Sequence, residues 1–144
     1  KNIFKLAQGE YVSPESVEAA CGLSKWVGQC FVYGNSFNTF LVAVVVPDKD
    51  VLSGWGKSNA QGQSIDQICA QPQVKKMILD DMIVSCKNAR LRGFEIPKDI
   101  VFETEINQLG QGFTVENDCL TPTFKLRRPQ ITKKYQKQLE ALYK

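Results

Sequence analysis

The sequence predicts an α+β fold: a small, largely antiparallel sheet with an N-terminal β-hairpin, and helices packed on it. Three observations lead to this prediction. Short apolar runs flank a glycine-containing turn at residues 7–10, longer runs of β-forming residues follow at 26–33 and 40–46, and amphipathic helix patterns lie between and after them. The 144 residues fit one domain, 1–144, and their 43% hydrophobic content excludes a disordered chain.

The hairpin and the first helix are predicted from the opening 22 residues. Ile3–Leu6 and Tyr11–Val12 are apolar or aromatic, and the turn between them contains a glycine. A helix should follow over Pro14–Cys21, because Ser13 is a typical N-cap and proline suits the first helical position. Gly22 should end that helix.

Three further strands are predicted. Trp26–Tyr33 is rich in β-forming residues and ends at the turn signal Gly34-Asn35. Phe40–Val46, closed by Pro47, is apolar at consecutive positions, which predicts a central strand covered on both faces. Asp99–Glu103 is the third candidate strand.

Helices over Asp48–Ser58 and Gln73–Arg90 should cover the sheet, with Gly93 ending the second, and Pro129 should open a final helix. The intervening segment Asn107–Asp118 is rich in Gly and Asn and is predicted to be a loop. The predicted apolar stripes are Val51, Leu52 and Trp55 in the first of these helices; Val74, Ile78, Met82, Cys86 and Ala89 in the second; and Ile131, Tyr135, Leu139 and Leu142 in the last.

Composition excludes several classes of site. The chain contains no histidine, so Ser-His and Cys-His nucleophiles and His-based metal sites are excluded within it, and we expect no metal site. The five cysteines form no C-x-x-C pair, which favours free thiols in a reducing compartment. The longest apolar run, Phe40–Val46, is far shorter than the roughly 20 residues of a membrane span.

Charge is concentrated at the C-terminal end. Between Lys125 and Lys144 there are seven basic residues and one acid, whereas the net charge of the whole chain is only +3. Such a segment suits an anionic ligand, whether phosphate, nucleotide or membrane surface, and it equally suits a solvated helix face. One interpretation of the chain is therefore a freestanding binding module that contacts nucleic acid or an anionic membrane through its basic C-terminal helix.

Two motifs lead to a different interpretation. NIFKLAQGEYV at residues 2–12 and LTPTFKLRRP at residues 120–129 resemble the C-terminal domain of long-chain fatty acyl-CoA synthetases, members of the adenylate-forming (AMP-binding) superfamily. The resemblance covers essentially all of residues 1–144. It implies that the chain is the mobile lid of a two-domain enzyme, whose large N-terminal adenylation domain is absent here and whose hinge motif lies immediately before Lys1.

The resemblance implies the activity of the whole enzyme, a long-chain fatty acid–CoA ligase. ATP and the fatty acid give an acyl-adenylate and pyrophosphate, and coenzyme A then displaces AMP. ATP and Mg²⁺ are expected to bind mainly to the absent domain, coenzyme A is a co-substrate, and the isolated domain should be inactive. The partners expected are the N-terminal adenylation domain and the substrates, not nucleic acid. The location expected is intracellular, in the cytoplasm or at the cytoplasmic face of a membrane organelle, where the full-length enzyme can associate with the membrane.

The resemblance also assigns residue roles. Lys125 matches the catalytic lysine that enters the active site for adenylate formation, where a cation stabilises the charge developing on the phosphoryl oxygens. Gly9 should line the coenzyme A tunnel, because a side chain there would obstruct a narrow channel. Lys5 and Glu10 are further candidates for the thioester step, although an outward-facing charge explains each equally well. Candidate phosphate contacts are Arg127 and Arg128, for which a charged helix entrance is the alternative.

Overall fold

Six helices and five strands make up residues 2–144, the part of the chain that the computed structural model describes; Lys1 lies outside it. The strands are β1 (Phe4–Lys5), β2 (Tyr11–Val12), β3 (Val27–Tyr33), β4 (Val42–Pro47) and β5 (Asp99–Phe102). The helices are α1 (Pro14–Cys21), α2 (Lys49–Asn59), α3 (Ile65–Cys69), α4 (Pro72–Asn88), α5 (Arg128–Lys134) and α6 (Gln136–Ala141). The predicted α+β class is confirmed.

The strands form two sheets. β1 and β2 pair antiparallel as the predicted hairpin, and β3, β4 and β5 form a second sheet with β4 in the centre. β3 and β4 are antiparallel, whereas β4 and β5 are parallel, with Val44 opposite Val101. A parallel pair needs a long crossover, and α2, α3 and α4 lie within that connection. Two of the three pairings are therefore antiparallel, and the sheet around β4 is mixed.

Strand β4 explains the continuous apolar run in the sequence. Ala43 and Val45 pack on one side of the sheet with residues of α1 and α4, while Val42, Val44 and Val46 pack on the other side with the C-terminal helices. All five side chains are fully buried. Because successive strand residues point to opposite faces, both faces of a doubly covered strand must be apolar. The predicted central strand is confirmed.

Helix α4 follows the predicted stripe along most of its length. The four predicted residues within the helix are buried, namely Val74, Ile78, Met82 and Cys86, but Ala89 lies beyond the helix and is exposed. The helix ends before Gly93, because Arg90 adopts a left-handed conformation (φ 63°) and the Leu91 N–H donates to the carbonyl of Cys86. The predicted end of this helix was therefore wrong.

Two other predictions need correction. The final helix is interrupted at Tyr135 (φ −106°, ψ 15°), which separates α5 from α6. The Tyr135 hydroxyl is anchored there, donating to Glu103 at 2.5 Å. Helix α3 was not predicted, although Ser64 and Gln67 form a capping box that is visible in the sequence as S-x-x-Q.

Candidate functional site

The candidate catalytic residue Lys125 lies in a tight turn, residues 121–125, which we call the lysine turn. The Thr121 N–H donates to the Lys125 carbonyl at 2.8 Å, and the Phe124 N–H donates to the Thr121 carbonyl at 2.8 Å. The Lys125 N–H in turn donates to Thr121 Oγ1 at 3.1 Å. Leu120 and Leu126 form a β-bridge that closes the turn. These contacts fix the backbone and leave the Lys125 side chain exposed at the surface.

A cleft of about 560 Å³ opens beside Lys125 and separates the lysine turn from helix α1. Its walls include Thr121, Leu126 and the acid Glu15, whose carboxylate accepts a hydrogen bond from Asn2 Nδ2 at 2.8 Å. Burial opposes ionisation of Glu15, but the hydrogen bond from Asn2 contributes to a net lowering of its pKa. The cleft thus combines an exposed cation with hydroxyl and carboxylate groups, a setting suited to a polar, charged ligand.

Arg128 forms an ion pair with Glu18 within the domain. Its guanidinium makes two hydrogen bonds to the Glu18 carboxylate, at 2.8 and 2.6 Å, and both side chains are nearly buried. Glu18 also accepts from the Val32 N–H at 2.8 Å, and the guanidinium lies 5.7 Å from the centre of the Phe31 ring. Burial raises the pKa of Glu18. This pair ties the start of α5 to α1 and β3, so the guanidinium predicted to contact phosphate already has a structural partner.

Arg127 is more accessible. Its Nη1 lies 3.4 Å from Asp118 Oδ1, and about a third of its side chain (36%) is exposed. The contact is long and solvated, which makes it a weak interaction. Of the two arginines predicted to meet phosphate, Arg127 is the one whose charge faces solvent.

The second candidate site is the tip of the hairpin, residues 6–10, which we call the glycine turn. Gly9 has φ +92°, a conformation that strongly favours glycine, and a Cβ built on it would have no atom within 4 Å. The Gly9 N–H donates to the Leu6 carbonyl at 2.9 Å, and the Leu6 N–H donates to the Glu10 carbonyl at 2.8 Å. Glu10 is exposed. The glycine turn is therefore open to solvent at Gly9, where no side chain covers the backbone.

Lys5 lies on the body of the same hairpin. It is paired with Tyr11 across the two strands, and its Nζ lies 5.6 Å from the centre of the Tyr11 ring. Both side chains are exposed, Tyr11 by 64%. The hairpin is held to the rest of the fold by the Ala7 N–H, which donates to the Asn38 carbonyl at 3.1 Å.

The structure brings the predicted residues together in two groups. Lys5, Gly9 and Glu10 share the hairpin, whereas Lys125 shares its segment with the two arginines. The cleft at Lys125 contains none of the three hairpin residues. Sequence reasoning missed the partnership of Glu18 with Arg128, because the two are 110 residues apart and no local pattern connects them.

The remaining polar chemistry is limited. All five cysteines are free and buried, as predicted: Cys21, Cys30, Cys69, Cys86 and Cys119. In residues 2–144, the Cys, Asp and Glu side chains form no group of three that could hold a metal ion. Over the same range, no helix combines the length and the apolar character that crossing a membrane requires.

Known proteins resemble this chain along its whole length. It is 46% identical over 145 residues to the peroxisomal long chain acyl-CoA synthetase 6 of Arabidopsis thaliana, a match covering 100% of the chain. It is 41% identical over 143 residues to the long-chain-fatty-acid–CoA ligase 6 of Mus musculus, covering 99% of the chain. The chain spans about a fifth (20%) of the length of each of these curated relatives.

Solved structures also match the chain over almost its whole length. The adenylation domain of the carboxylate reductase from Mycobacterium chelonae matches with a TM-score of 0.79 and 38% identity, covering 99% of this chain and 19% of that one. The didomain of carboxylic acid reductase from Segniliparus rugosus, solved in complex with AMP, matches with a TM-score of 0.79 and 35% identity, covering 99% and 17%. No protein-family model matches the chain. The chain is therefore homologous, over its whole length, to a part of the long-chain acyl-CoA synthetases, and it has the fold of the corresponding part of adenylate-forming enzymes.

Proposed function

We propose that this chain is the C-terminal domain, residues 1–144, of a long-chain fatty acid–CoA ligase. The observation that supports this most strongly is the match of the whole chain, at 46% identity, to one fifth of a long chain acyl-CoA synthetase. The partner of the domain is then the larger adenylation domain of the same polypeptide, and the substrates are a fatty acid, ATP and coenzyme A.

The proposed reaction has two steps. In the first, a carboxylate oxygen attacks the α-phosphorus of ATP, pyrophosphate leaves, and an acyl-adenylate forms. In the second, the sulfur of coenzyme A attacks the acyl carbon, its proton is lost to solvent or a base, and AMP leaves. We propose that ATP binds mainly to the larger domain, together with Mg²⁺.

We propose that Lys125 acts in the first step. Two anions converge when the carboxylate meets the α-phosphate, and negative charge increases on the phosphoryl oxygens. An ammonium group held beside them lowers that barrier, and removing one preorganised donor of this kind typically slows a reaction by about 10²–10³-fold. The rigid lysine turn and the exposed side chain support this role, because the turn can carry the cation into another domain without refolding.

We propose that the glycine turn serves the second step. The open surface at Gly9 suits the close passage of the narrow pantetheine arm of coenzyme A. Of the two candidate charged groups, Glu10 lies within the turn and Lys5 directly precedes it. Arg127 remains a candidate for binding the phosphates of coenzyme A, whereas Arg128 is less suited to that role because its guanidinium is already paired with Glu18. The same engagement of Arg128 weakens the alternative of a freestanding nucleic-acid or membrane-binding module.

The location of the protein is also a proposal. Relatives of this chain include peroxisomal enzymes of Arabidopsis thaliana, and the free, buried thiols fit a reducing compartment. We propose that the enzyme acts inside the cell, in the cytoplasm or at the cytoplasmic face of an organelle, with membrane association supplied by the full-length protein.

The test separates the two half-reactions in the full-length enzyme. Lys125→Ala should slow pyrophosphate release by about 10²–10³-fold, while a chemically supplied acyl-adenylate is still converted to acyl-CoA. Lys137→Ala, which removes an exposed lysine from α6, is the matched control and should leave both steps unchanged. Equal slowing of both steps by Lys125→Ala, or intact adenylation, would refute the role of Lys125. Absence of both half-reactions in the wild-type enzyme would refute the proposed function itself.

A further inference from the structure

Two of the buried cysteines lie against each other between helices α1 and α4. Cys21 ends α1, Cys86 lies near the end of α4, and their Sγ atoms are 3.5 Å apart in a hydrogen bond that either thiol can donate. Both side chains are fully buried in the core on this side of the central sheet. The two positions are 65 residues apart, so folding brings them together. Neither step of the proposed ligase reaction uses these thiols.

The two sulfurs are close enough for a covalent bond to form without a change of fold. The sulfurs of a disulfide are about 2.05 Å apart, so this pair has to approach by roughly 1.5 Å. A movement of this size, shared between two side chains, needs only small changes in their torsions. The helices are also joined nearby, because Ser24 Oγ, just after α1, donates to Asp81 Oδ2 of α4. The cysteines are therefore already placed for a cross-link between α1 and α4.

Burial controls how fast such a bond forms. The thiolate is the reactive form of cysteine. The pKa of Cys86 is raised by its contact with Cys21 and by burial, and the pKa of Cys21 is raised by its contact with Cys30 and by burial. An oxidant reaches the pair only when α1 and α4 separate locally, in the kind of opening through which buried groups exchange with solvent. The closed fold thus keeps both thiols reduced on short timescales and allows slow oxidation.

We propose that Cys21 and Cys86 are a latent disulfide, which makes the stability of this chain depend on the redox state of its surroundings. The oxidant is a small disulfide of the class of oxidised glutathione. One cysteine thiolate attacks a sulfur of the oxidant, breaks its S–S bond and releases the first small thiol. The other cysteine thiolate then attacks the protein sulfur of the mixed disulfide and releases the second. The protein thiols lose two protons and two electrons, and the oxidant gains both as two thiols.

The cross-link has a consequence for stability. It closes a loop across 65 positions and joins α1, which follows the hairpin, to the 17-residue helix α4. A disulfide that closes a long loop stabilises a protein mainly by restricting the unfolded chain. The oxidised chain should therefore melt about 5–15 °C above the reduced chain, and reduction should reverse the gain. In a reducing compartment the pair stays reduced, and the disulfide forms when the ratio of oxidised to reduced small thiols rises.

The experiment treats the 144-residue chain with oxidised glutathione and maps its thiols by mass spectrometry. After acid quenching, unfolding and alkylation with N-ethylmaleimide, the oxidised chain should carry three labels, whereas the reduced chain carries one on each of its five cysteines. Trypsin separates the relevant thiols, with Cys21 in residues 6–25, Cys30 in 26–49 and Cys86 in 77–87. Peptides 6–25 and 77–87 should be recovered joined, and dithiothreitol should separate them. Low concentrations of urea should speed up the reaction, because they favour opening of the helices.

Two variants provide the controls. Cys86→Ala should abolish the cross-link and the rise in melting temperature. Cys119→Ala removes a buried cysteine from the other side of the sheet and should leave both unchanged. Circular dichroism shows whether each variant folds, and the peptide map of the wild-type chain decides the matter even where a variant does not.

Three results would overturn the proposal. They are the persistence of five labels after prolonged oxidation, a bond made instead by Cys30 or between two chains, and an oxidised chain that melts no higher than the reduced one. The proposal needs only the folded chain and the oxidant, so none of these results affects the ligase function, which the two half-reactions test separately.

Discussion

Replacing Arg128 by leucine should destabilise the 144-residue chain, because it leaves the nearly buried Glu18 carboxylate without its cationic partner. The guanidinium and the Glu18 carboxylate are 13% and 11% exposed, and two hydrogen bonds of 2.8 and 2.6 Å join them. Removing one partner of a buried pair leaves the other charge unpaired, which typically costs about 3–5 kcal/mol. At about 2–4 °C per kcal/mol for a domain near this size, the melting temperature should fall by roughly 6–20 °C.

Urea unfolding monitored by circular dichroism measures the free energy of unfolding of each variant. Arg127→Leu is the matched control, because its partner Asp118 is 76% exposed and the contact is 3.4 Å long, so the change should be within about 0.5 kcal/mol. The double variant Glu18→Gln, Arg128→Leu should recover most of the loss. Glutamine is neutral, and its side-chain oxygen can still accept the hydrogen bond that the Val32 N–H donates to Glu18.

The pH dependence of Arg128→Leu provides a second readout. Burial raises the pKa of Glu18, whereas the hydrogen bonds and charge of Arg128 lower it. Removing the arginine should therefore raise the pKa of Glu18 further. An acid whose folded pKa lies above its unfolded pKa binds more protons in the folded state, so stability rises as the pH falls through the folded pKa. The deficit of the variant should therefore be larger at pH 7.5 than at pH 5. A loss below about 1 kcal/mol at pH 7.5, or a loss independent of pH, would refute the argument that a buried, unpaired carboxylate causes it.

Two other predictions concern the glycine turn and the thiols. In the full-length enzyme, Gly9→Leu should slow thioester formation and spare adenylation. Gly9→Ala should mainly lower the free energy of unfolding, by about 1–2 kcal/mol, because a side chain is unfavourable in the left-handed region. Equal losses in both half-reactions would show that the glycine is needed for folding. The native chain should react slowly with a disulfide reagent such as DTNB at pH 8, because all five cysteines are buried and burial raises the pKa of Cys69 to about 12. Unfolding in urea should release five fast-reacting thiols, and a fast thiol in the native state would contradict this prediction.

The local elements were predictable from sequence because their signals are local. Helix α4 shows its stripe at spacings of four, β4 shows an unbroken apolar run rich in valine, and the hairpin shows two short, mainly apolar segments on either side of a glycine. Each pattern depends on residues that are close in sequence, because the periodicity of the backbone determines which of their side chains share a face. The two motifs that contain Gly9 and Lys125 are likewise short and continuous, so both are recognisable from the order of their residues alone.

The candidate site was only partly predictable. The sequence contains the motif to which Lys125 belongs, and the structure adds the hydrogen bonds that make this segment a rigid turn. It contained no signal that Phe124 adopts a positive φ, because phenylalanine is a poor choice for that conformation. A conformation that opposes local propensity has to be imposed by the surrounding structure.

The tertiary structure decided the contacts between distant segments. Three features join residues from separate parts of the chain. They are the parallel pairing of β4 with β5, the ion pair of Arg128 with Glu18, and the hydrogen bond from Tyr135 to Glu103 at the break between α5 and α6. No periodic pattern specifies such pairs, because their free energy depends on burial and on which polar groups meet once the core has closed. Composition and periodicity therefore predicted most of the elements of this protein, and the resemblance of two short motifs to a known family identified the candidate site residues. Packing determined which of its charged residues remain free to meet a substrate.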